Sequence, residues 1–138
     1  MAIDWGIAVA NQALDEIDAE INGGGGAGKL QGFTTTQPSD CATADAGAEV
    51  FEITLPATAF ADASAGAMVK AGTWSCTGAA TTGNAAAVGY FRVKDSADVC
   101  VMQGTVGQGS GDLSLDNSTV AAGQTVTIST FTLTFPSF

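Results

Sequence analysis

The stretch that decides the fold is "AVGYFRVKDSADVCVMQGTVG", residues 87–107. Two runs of alternating side chains flank "DSAD", a group of turn-forming residues. In the first run Tyr90 and Arg92 fall on one side of the chain, and Phe91 and Val93 fall on the side that we expect to face the core. Alternation on both sides of a short turn predicts a β-hairpin.

Strand-like runs also precede the hairpin. The run "KLQGFTTT" predicts a strand that begins at residue 29 and points Leu30 inward. The run "EVFEITL", residues 49–55, alternates in the same way and ends at Pro56. A further strand is predicted over residues 67–76, with a turn-rich connection before each of these strands.

The C-terminal run "TVTISTFTLTF" changes phase. Val126 and Ile128 alternate in one phase, whereas Phe131, Leu133 and Phe135 alternate in the other. The slip at Ser129–Thr130 predicts a bulge or an edge crossover. Many short strands separated by Gly, Ser and Asp turns predict a mainly β protein, specifically an antiparallel β-sandwich, preceded by one N-terminal amphipathic α-helix.

The N-terminal segment predicts that helix, over residues 3 to about 21. Six apolar residues recur at spacings of 4, 3, 4, 3 and 4, which makes a narrow seam typical of helix association. The seam, together with Trp5 near its start, forms the candidate interface: Ile3, Trp5, Ile7, Ala10, Leu14, Ile17 and Ile21. Trp5 either anchors a contact with a neighbouring subunit, as Trp does at interfaces, or packs against the protein's own sheet.

The predicted helix also has an unfavourable charge distribution. Asp4 can serve its N-terminal turn, but Asp15, Glu16, Asp18 and Glu20 lie in its second half, on what we expect to be the outer face. A short helix of this kind is marginal in isolation and needs a surface to pack on. Two interpretations are open: it packs on its own domain, or it mediates self-association or docking onto another subunit.

A run of glycines divides the chain. In "NGGGGAG", residues 22–28, the Asn-Gly pair is expected to form a left-handed helix cap, and the glycines that follow are expected to act as a flexible tether. The predicted organisation is therefore an oligomerisation or docking helix over residues 1–22, a Gly-rich linker over 23–28, and a β-sandwich over 29–138. Deletion of residues 1–22 is expected to leave the β-sandwich folded.

The charge balance excludes several classes of partner. The 138 residues contain 14 acidic and 4 basic side chains and no histidine, for a formal net charge of −10. Nucleic acid and anionic membrane surfaces are excluded as partners because both need clustered cations. Without histidine, and with no spaced pair of carboxylates, we expect no enzyme activity, no cofactor and no metal site. The fragment "DLSLDN" contains part of a calcium-loop pattern, but it lacks the glycine and the terminal glutamate.

Cysteine spacing and the absence of a basic leader favour folding in a reducing compartment. Cys41, Cys76 and Cys100 are an odd number at unpaired spacings. One bridge is compatible with this count, but we expect three thiols.

Two further side-chain placements are expected from the alternation. Arg92 is predicted to be an exposed strand cation in a weak surface pair, or else to pair across a subunit boundary with a carboxylate. If Trp74 and Tyr90 are exposed, they would give the domain a carbohydrate-binding face, which is the alternative function from a different class.

The whole chain resembles a family of small structural proteins of tailed bacteriophages and prophages. The resemblance is carried by the N-terminal helix, by "KLQGFTTTQPSD" and by the final third of the sequence. The early strand reads Gln31-Gly32-Phe33, which departs from the family's usual form. The matching positions are Tyr90, Phe91, Arg92, Asp95, Ser96, Gly104, Thr105, Val106, Gly107, Asp112, Leu113, Leu115, Gly123, Val126 and Pro136.

This resemblance implies a virion structural protein. The leading expectation is a capsid decoration (cement) protein that assembles in the host cytoplasm, forms homo-oligomers, and binds the major capsid protein or another virion protein. A neck, tail or fibre-base component is the alternative within the virion. No catalytic residues belong to the pattern, so none is assigned here.

Overall fold

The computed structural model describes residues 3–77 and 86–135, and the described chain is mainly β with one N-terminal helix. The helix is α1 (Ile7–Ile21). The strands are β1 (Lys29–Phe33), β2 (Glu49–Thr54), β3 (Ala67–Val69), β4 (Trp74–Thr77), β5 (Ala86–Ala87), β6 (Tyr90–Lys94), β7 (Cys100–Gly107), β8 (Leu113–Ser114), β9 (Thr119–Val120), β10 (Thr125–Ile128) and β11 (Thr132–Thr134). Among the described residues, no helix combines the length and the apolar character needed to cross a membrane.

The predicted hairpin is the centre of the largest sheet, whose strand order is β2-β1-β6-β7-β8. Strands β6 and β7 pair antiparallel, with Arg92 opposite Gln103 and Phe91 opposite Gly104, so the hairpin prediction is confirmed. Strand β1 pairs antiparallel with both β6 and β2, whereas β8 joins β7 in parallel.

The inner face of this sheet is built from two rows of side chains. Leu30 lies between Ile53 and Val93, and all three are fully buried, as their alternation predicts. In the next row Gly32 and Gly104 lie beside aromatic rings, and a Cβ on Gly32 would collide with the ring of Phe51. Glycine is therefore required at Gly32 because a large ring occupies the space above its backbone.

Three two-stranded ladders, β4–β10, β3–β11 and β5–β9, supply the rest of the core. Trp74 is fully buried and packs edge-to-face on Phe60, with ring centroids 5.3 Å apart. Phe131 contacts Phe60, Trp74 and Phe91, so one aromatic cluster connects the ladders to the large sheet. The Trp74 indole nitrogen donates a hydrogen bond of 3.0 Å to the carbonyl of Ala71, which satisfies its polar group inside the core.

One strand prediction changes in detail and another is confirmed. The expected strand over residues 67–76 is two strands, because Gly72 has a φ of +68° and ends the extended run. Strand β3 then pairs with β11 and strand β4 with β10. The phase slip at Ser129–Thr130 falls between β10 and β11, where the chain leaves one ladder and enters another, so the predicted crossover is confirmed.

Residues 34–48 cross the outer face of the large sheet, and we call this connection the strap. Its ends meet, since the Thr34 N–H donates to the Ala48 carbonyl at 2.9 Å. Between them the Tyr90 hydroxyl both donates to the carbonyl and accepts from the N–H of Ala46, each at 2.8 Å, and the Gln103 amide donates to the Pro38 carbonyl at 2.8 Å. The strap is thus an Ω-loop held on the sheet by side chains of β6 and β7.

The strap buries two of the four basic side chains. Arg92 is 2% exposed and Lys94 is 3% exposed, and both bind the carboxylate of Asp45, at 2.8 Å and 2.6 Å. The expectations for Arg92 were wrong: it is neither an exposed strand cation nor free for a partner subunit. Its outer-face position follows from alternation, but the sequence pattern does not show that a connection covers that face.

The cysteine prediction was also wrong. Cys41 of the strap and Cys100 at the start of β7 form a disulfide across a sequence separation of 59 residues, and Cys76 is the free thiol. Their spacing in sequence carries no signal for this pairing because the two Cα atoms come within 5.4 Å only after the strap has folded back over the hairpin.

Candidate docking surface at the N-terminal helix

The helix begins later than its apolar seam predicts. Its N-cap is Gly6, in an extended conformation and with no side-chain cap, so Asp4 does not serve the first turn. The Gly6 carbonyl accepts from the N–H groups of Val9 and Ala10, at 2.9 and 3.1 Å. Residues 3–6 therefore precede the helix as an extended segment.

The C-terminal two thirds of the seam pack on the protein itself. Ala10, Leu14 and Ile21 are buried, and Ile17 is partly buried against the same core cluster. Of the two interpretations left open by the sequence, packing on the helix's own domain holds for this part of α1. Removal of residues 1–22 would take Leu14 and Ile21 out of the core, so the structure does not support the expectation that this deletion leaves the body intact.

Polar side chains fix the helix in register along residues 60–66. The Asn11 amide oxygen accepts from the Gly66 N–H at 2.9 Å, and the Asp15 carboxylate accepts from the Ala63 N–H at 2.7 Å. Asp18 lies further along the same contact, where burial raises the pKa of its carboxyl and a backbone hydrogen bond from Phe60 acts in the opposite direction. Asp15 and Asp18 thus contribute to packing and do not belong to a purely solvent-facing acidic face.

The C-terminal end of the helix also differs from its predicted cap. Asn22 has a right-handed backbone with φ −92°, and its side-chain amide donates to the Asp18 carbonyl at 3.0 Å, which satisfies that end of the helix without a left-handed residue. The glycines that follow lie close to the hairpin turn, since a Cβ on Gly24 would collide with Ser96. A Cβ on Gly28 would likewise collide with Ile21.

The N-terminal end of this segment presents apolar side chains to solvent. Ile3 is 71% exposed, Trp5 46%, Ile7 51% and Val9 49%, and we call these four residues the docking surface. Trp5 combines its two predicted roles, because one edge of its ring meets Phe135 at a centroid distance of 6.2 Å while much of the ring stays exposed. The structure therefore leaves the first three candidate residues exposed, buries Ala10, Leu14 and Ile21, and packs Ile17 partly against the core.

Val9 is the residue of this surface that the predicted candidate interface did not include. It lies out of phase with the 4-3 spacing, on the side of the helix that turns away from the body. The only signal for it in the sequence is a large apolar residue outside the seam, next to the helix start. Beside it, Gln12, Ala13 and Glu16 line a shallow groove of about 300 Å³ on the outer side of α1.

The charged side chains of the N-terminal segment are all acidic. Residues 1–28 contain five carboxylates and no Lys or Arg. Of these acids, Asp4, Asp15, Glu16 and Glu20 are exposed, so the exposed charge of this segment is entirely acidic. Desolvation of one large apolar side chain contributes about 1.5–3 kcal/mol, so a few such side chains give a surface of this size useful binding energy.

The structure also places the residues of the other candidate sites. Trp74 and Tyr90 are both fully buried, so the expected aromatic carbohydrate-binding face was wrong for these residues. The Asp112 carboxylate accepts from the N–H and the hydroxyl of Thr105, both at 2.8 Å, and these hydrogen bonds lower its pKa. Within residues 3–77 and 86–135 no group of three His, Cys, Asp or Glu side chains is placed to hold a metal ion.

No protein-family model matches the chain, and no curated protein or solved structure shows significant similarity to it. The resemblance to phage structural proteins therefore stays a prediction. Four of its matching residues have contacts within the fold: Tyr90 and Arg92 bind the strap, Asp112 binds Thr105, and Leu113 is buried. Pro136, the last matching position, lies outside the described residues.

Proposed function

We propose that this chain is a structural protein that binds its neighbours through the docking surface, and specifically that it is a capsid decoration protein of a tailed bacteriophage. The observation that carries the docking role is the contrast within one segment: Leu14 and Ile21 are buried in the body, whereas Ile3, Trp5 and Ile7 stand out from it. Large apolar side chains that stay exposed close to one another in sequence are candidates for an interaction site in a soluble protein.

The proposed partners are a second copy of the chain and the major capsid protein or another virion protein. Decoration of a shell requires a broad complementary surface and copies of the protein arranged with symmetry. A docking surface at the N-terminus of a folded body can provide the contacts between such copies. The proposed location is the virion, after assembly in the host cytoplasm. The assignment to a phage rests on the sequence resemblance alone.

We also infer that the body is a β-sandwich. Its two layers would be the large sheet and the β4–β10 and β3–β11 ladders. Support comes from the core, where Leu30 and Val93 of the large sheet share one cluster with Trp74 and Ile128 of the ladders. A core filled from two facing sheets is the defining feature of that architecture.

The docking role is tested with the Trp5→Ala/Ile7→Asp double variant of the full chain. The substituted side chains are 46% and 51% exposed, so the body should keep its stability while the apolar contact is lost. Binding to purified parent particles that lack the protein, followed by co-sedimentation, should weaken at least thirtyfold, about 2 kcal/mol, as for loss of an interface hot spot. Light scattering measures self-association of the same samples.

Val99→Asp is the matched control because Val99 is 58% exposed and lies beside the hairpin turn, outside the segment that carries the docking surface. It should bind particles like the unmodified chain. Equal binding by the double variant and the control would contradict the docking role. If binding is lost as expected, the copy number per particle separates decoration of the shell, at an abundance near that of the capsid protein, from a neck or tail position at a few copies.

A further inference from the structure

The strap and the hairpin meet at a site that the docking role does not use. Cys41 and Cys100 are both half-buried, and both line an open cavity of about 400 Å³. Asp45, Lys94 and Asp98 line the same cavity. A disulfide at the rim of a cavity open to solvent can be reached by a small thiol, whereas a disulfide inside a packed core cannot.

Contacts other than the disulfide hold the strap against the sheet. Asp45 binds Arg92 and Lys94, the Asp40 carbonyl accepts from Arg92 at 3.1 Å, and the Ala46 backbone is paired with Tyr90. The strap residues in these contacts lie on both sides of Cys41 in the sequence, and all lie within five positions of it. Reduction of the disulfide would therefore leave the two sulfur atoms close together, and a dithiol held in that way closes again readily.

We propose that Cys41 and Cys100 form a reversible thiol–disulfide site that exchanges with small-molecule thiols and disulfides, and that its closure locks the strap on the sheet. In the closing step, a Cys thiolate attacks a small-molecule disulfide, forms a mixed disulfide and releases one small thiol. The second Cys thiolate then attacks the protein sulfur of the mixed disulfide and releases the other small thiol. Two protein thiols are oxidised, one disulfide is reduced to two thiols, and their protons balance.

The lock matters because of what the strap covers. Arg92 and Lys94 are buried beneath it, and their main carboxylate partner, Asp45, belongs to it. Opening of the strap would separate these charges and expose the outer face of β1 and β6. In a reducing compartment only the polar contacts keep the strap closed. After transfer to an oxidising compartment, the Cys41–Cys100 disulfide keeps it closed as well.

Cys76 provides an internal comparison. It lies on β4, outside the strap, and burial raises the pKa of its thiol. The thiolate is the form that reacts, so Cys76 should exchange slowly. The site is independent of the docking surface, and its test needs no binding partner.

The experiment equilibrates the purified full chain with mixtures of reduced and oxidised glutathione in native buffer, blocks thiols with iodoacetamide, and counts the labels by intact mass. At reducing ratios we expect labels on Cys41 and Cys100, and at oxidising ratios neither should be labelled. Digestion with thermolysin then reports on the strap: cleavage within residues 34–48 should be faster in the reduced chain, on the order of tenfold, because the strap opens locally without global unfolding.

The Cys41→Ser variant cannot form the disulfide, so it shows how the strap behaves without that bond. The Cys76→Ser variant is the control. Cys41→Ser should show the fast strap cleavage at every glutathione ratio, whereas Cys76→Ser should switch like the unmodified chain. If Cys41→Ser fails to fold, the reduced unmodified chain supplies the same comparison. The proposal is overturned if Cys41 and Cys100 can be labelled only after denaturant is added, or if strap cleavage proceeds at the same rate in the oxidised and reduced chains.

Discussion

Arg92 makes four hydrogen bonds, and two of them hold the strap to the sheet. Two go to the Gln103 amide oxygen, one to the Asp45 carboxylate and one to the Asp40 carbonyl. A buried cation is tolerated only when its donors are satisfied in this way, since an unpaired charge in the interior is very costly. The position of Arg92 on the outer face could be predicted from alternation with its neighbours, but its burial could not, because burial depends on a connection distant in sequence.

Replacement of Arg92 by Met is predicted to destabilise the protein. The substitution keeps much of the side-chain volume, but leaves Gln103 without its donor and Asp45 with only Lys94. We expect a loss of about 3 kcal/mol, the lower end of the range for a broken buried pair, because Asp45 is partly exposed. Urea unfolding measures the loss. Lys70→Met removes a cation from the surface and should change stability by less than about 1 kcal/mol; equal effects would contradict the role of Arg92.

Asp18 lies in an unfavourable environment for a carboxylate. Its Oδ1 atom is buried and accepts no hydrogen bond within the described part of the chain. Burial raises its pKa above the ordinary value of 3.8, and Asp15 and Asp62 act in the same direction. Ionised Asp18 therefore costs stability at neutral pH, and the cost falls as pH drops through the raised pKa and is absent below the unfolded-state value.

Asp18→Asn is predicted to stabilise the protein at pH 7, by less than about 1 kcal/mol because the side chain is partly exposed. The gain should shrink as pH falls and vanish below about pH 4, where Asp18 is neutral in both the folded and the unfolded chain. Urea unfolding at several pH values measures it, with the exposed Glu20→Gln as control. A gain that stays constant with pH would show that the carboxyl charge is not its cause.

At the scale of elements, α1 has two parts with different roles. Its C-terminal part supplies Leu14 and Ile21 to the core, and Asn11 and Asp15 bind the backbone of residues 63–66. Its N-terminal part, with the segment before it, carries the docking surface. The 4-3 spacing correctly identifies the apolar residues, but spacing alone cannot show which of them meet the protein's own body and which meet solvent.

Two truncations separate these parts. Removal of residues 1–6 should change the urea unfolding midpoint only slightly, because it takes away the exposed Ile3, the half-exposed Trp5 and the N-cap Gly6 while α1 remains. Removal of residues 1–22 should destabilise the body by several kcal/mol, since loss of a single large core side chain costs about 2–5 kcal/mol. Circular dichroism and urea unfolding of both chains check this. A longer truncation as stable as the shorter one would contradict the core role of α1.

For the whole molecule, local sequence patterns predicted where the strands lie, but not the contacts between residues that are distant in sequence. The hairpin, the inward Leu30 and the crossover near Ser129 all follow from side-chain alternation, which is a property of neighbouring residues. The strap over β6, the Cys41–Cys100 pairing and the split between β3 and β4 depend on contacts between distant residues or on one left-handed glycine. The docking surface falls between these cases: its residue types were predicted, and their exposure needed the folded body.

The placement of the basic residues has a consequence for durability outside a cell. A trypsin-like protease cleaves after Lys or Arg, and this chain offers it four such bonds. Lys29 belongs to β1, and Arg92 and Lys94 belong to β6, so three of the bonds lie within or at the ends of paired strands at the middle of the large sheet. Proteases need an extended, unpaired backbone, so digestion of the native chain is restricted to the bond after Lys70 until the sheet itself opens.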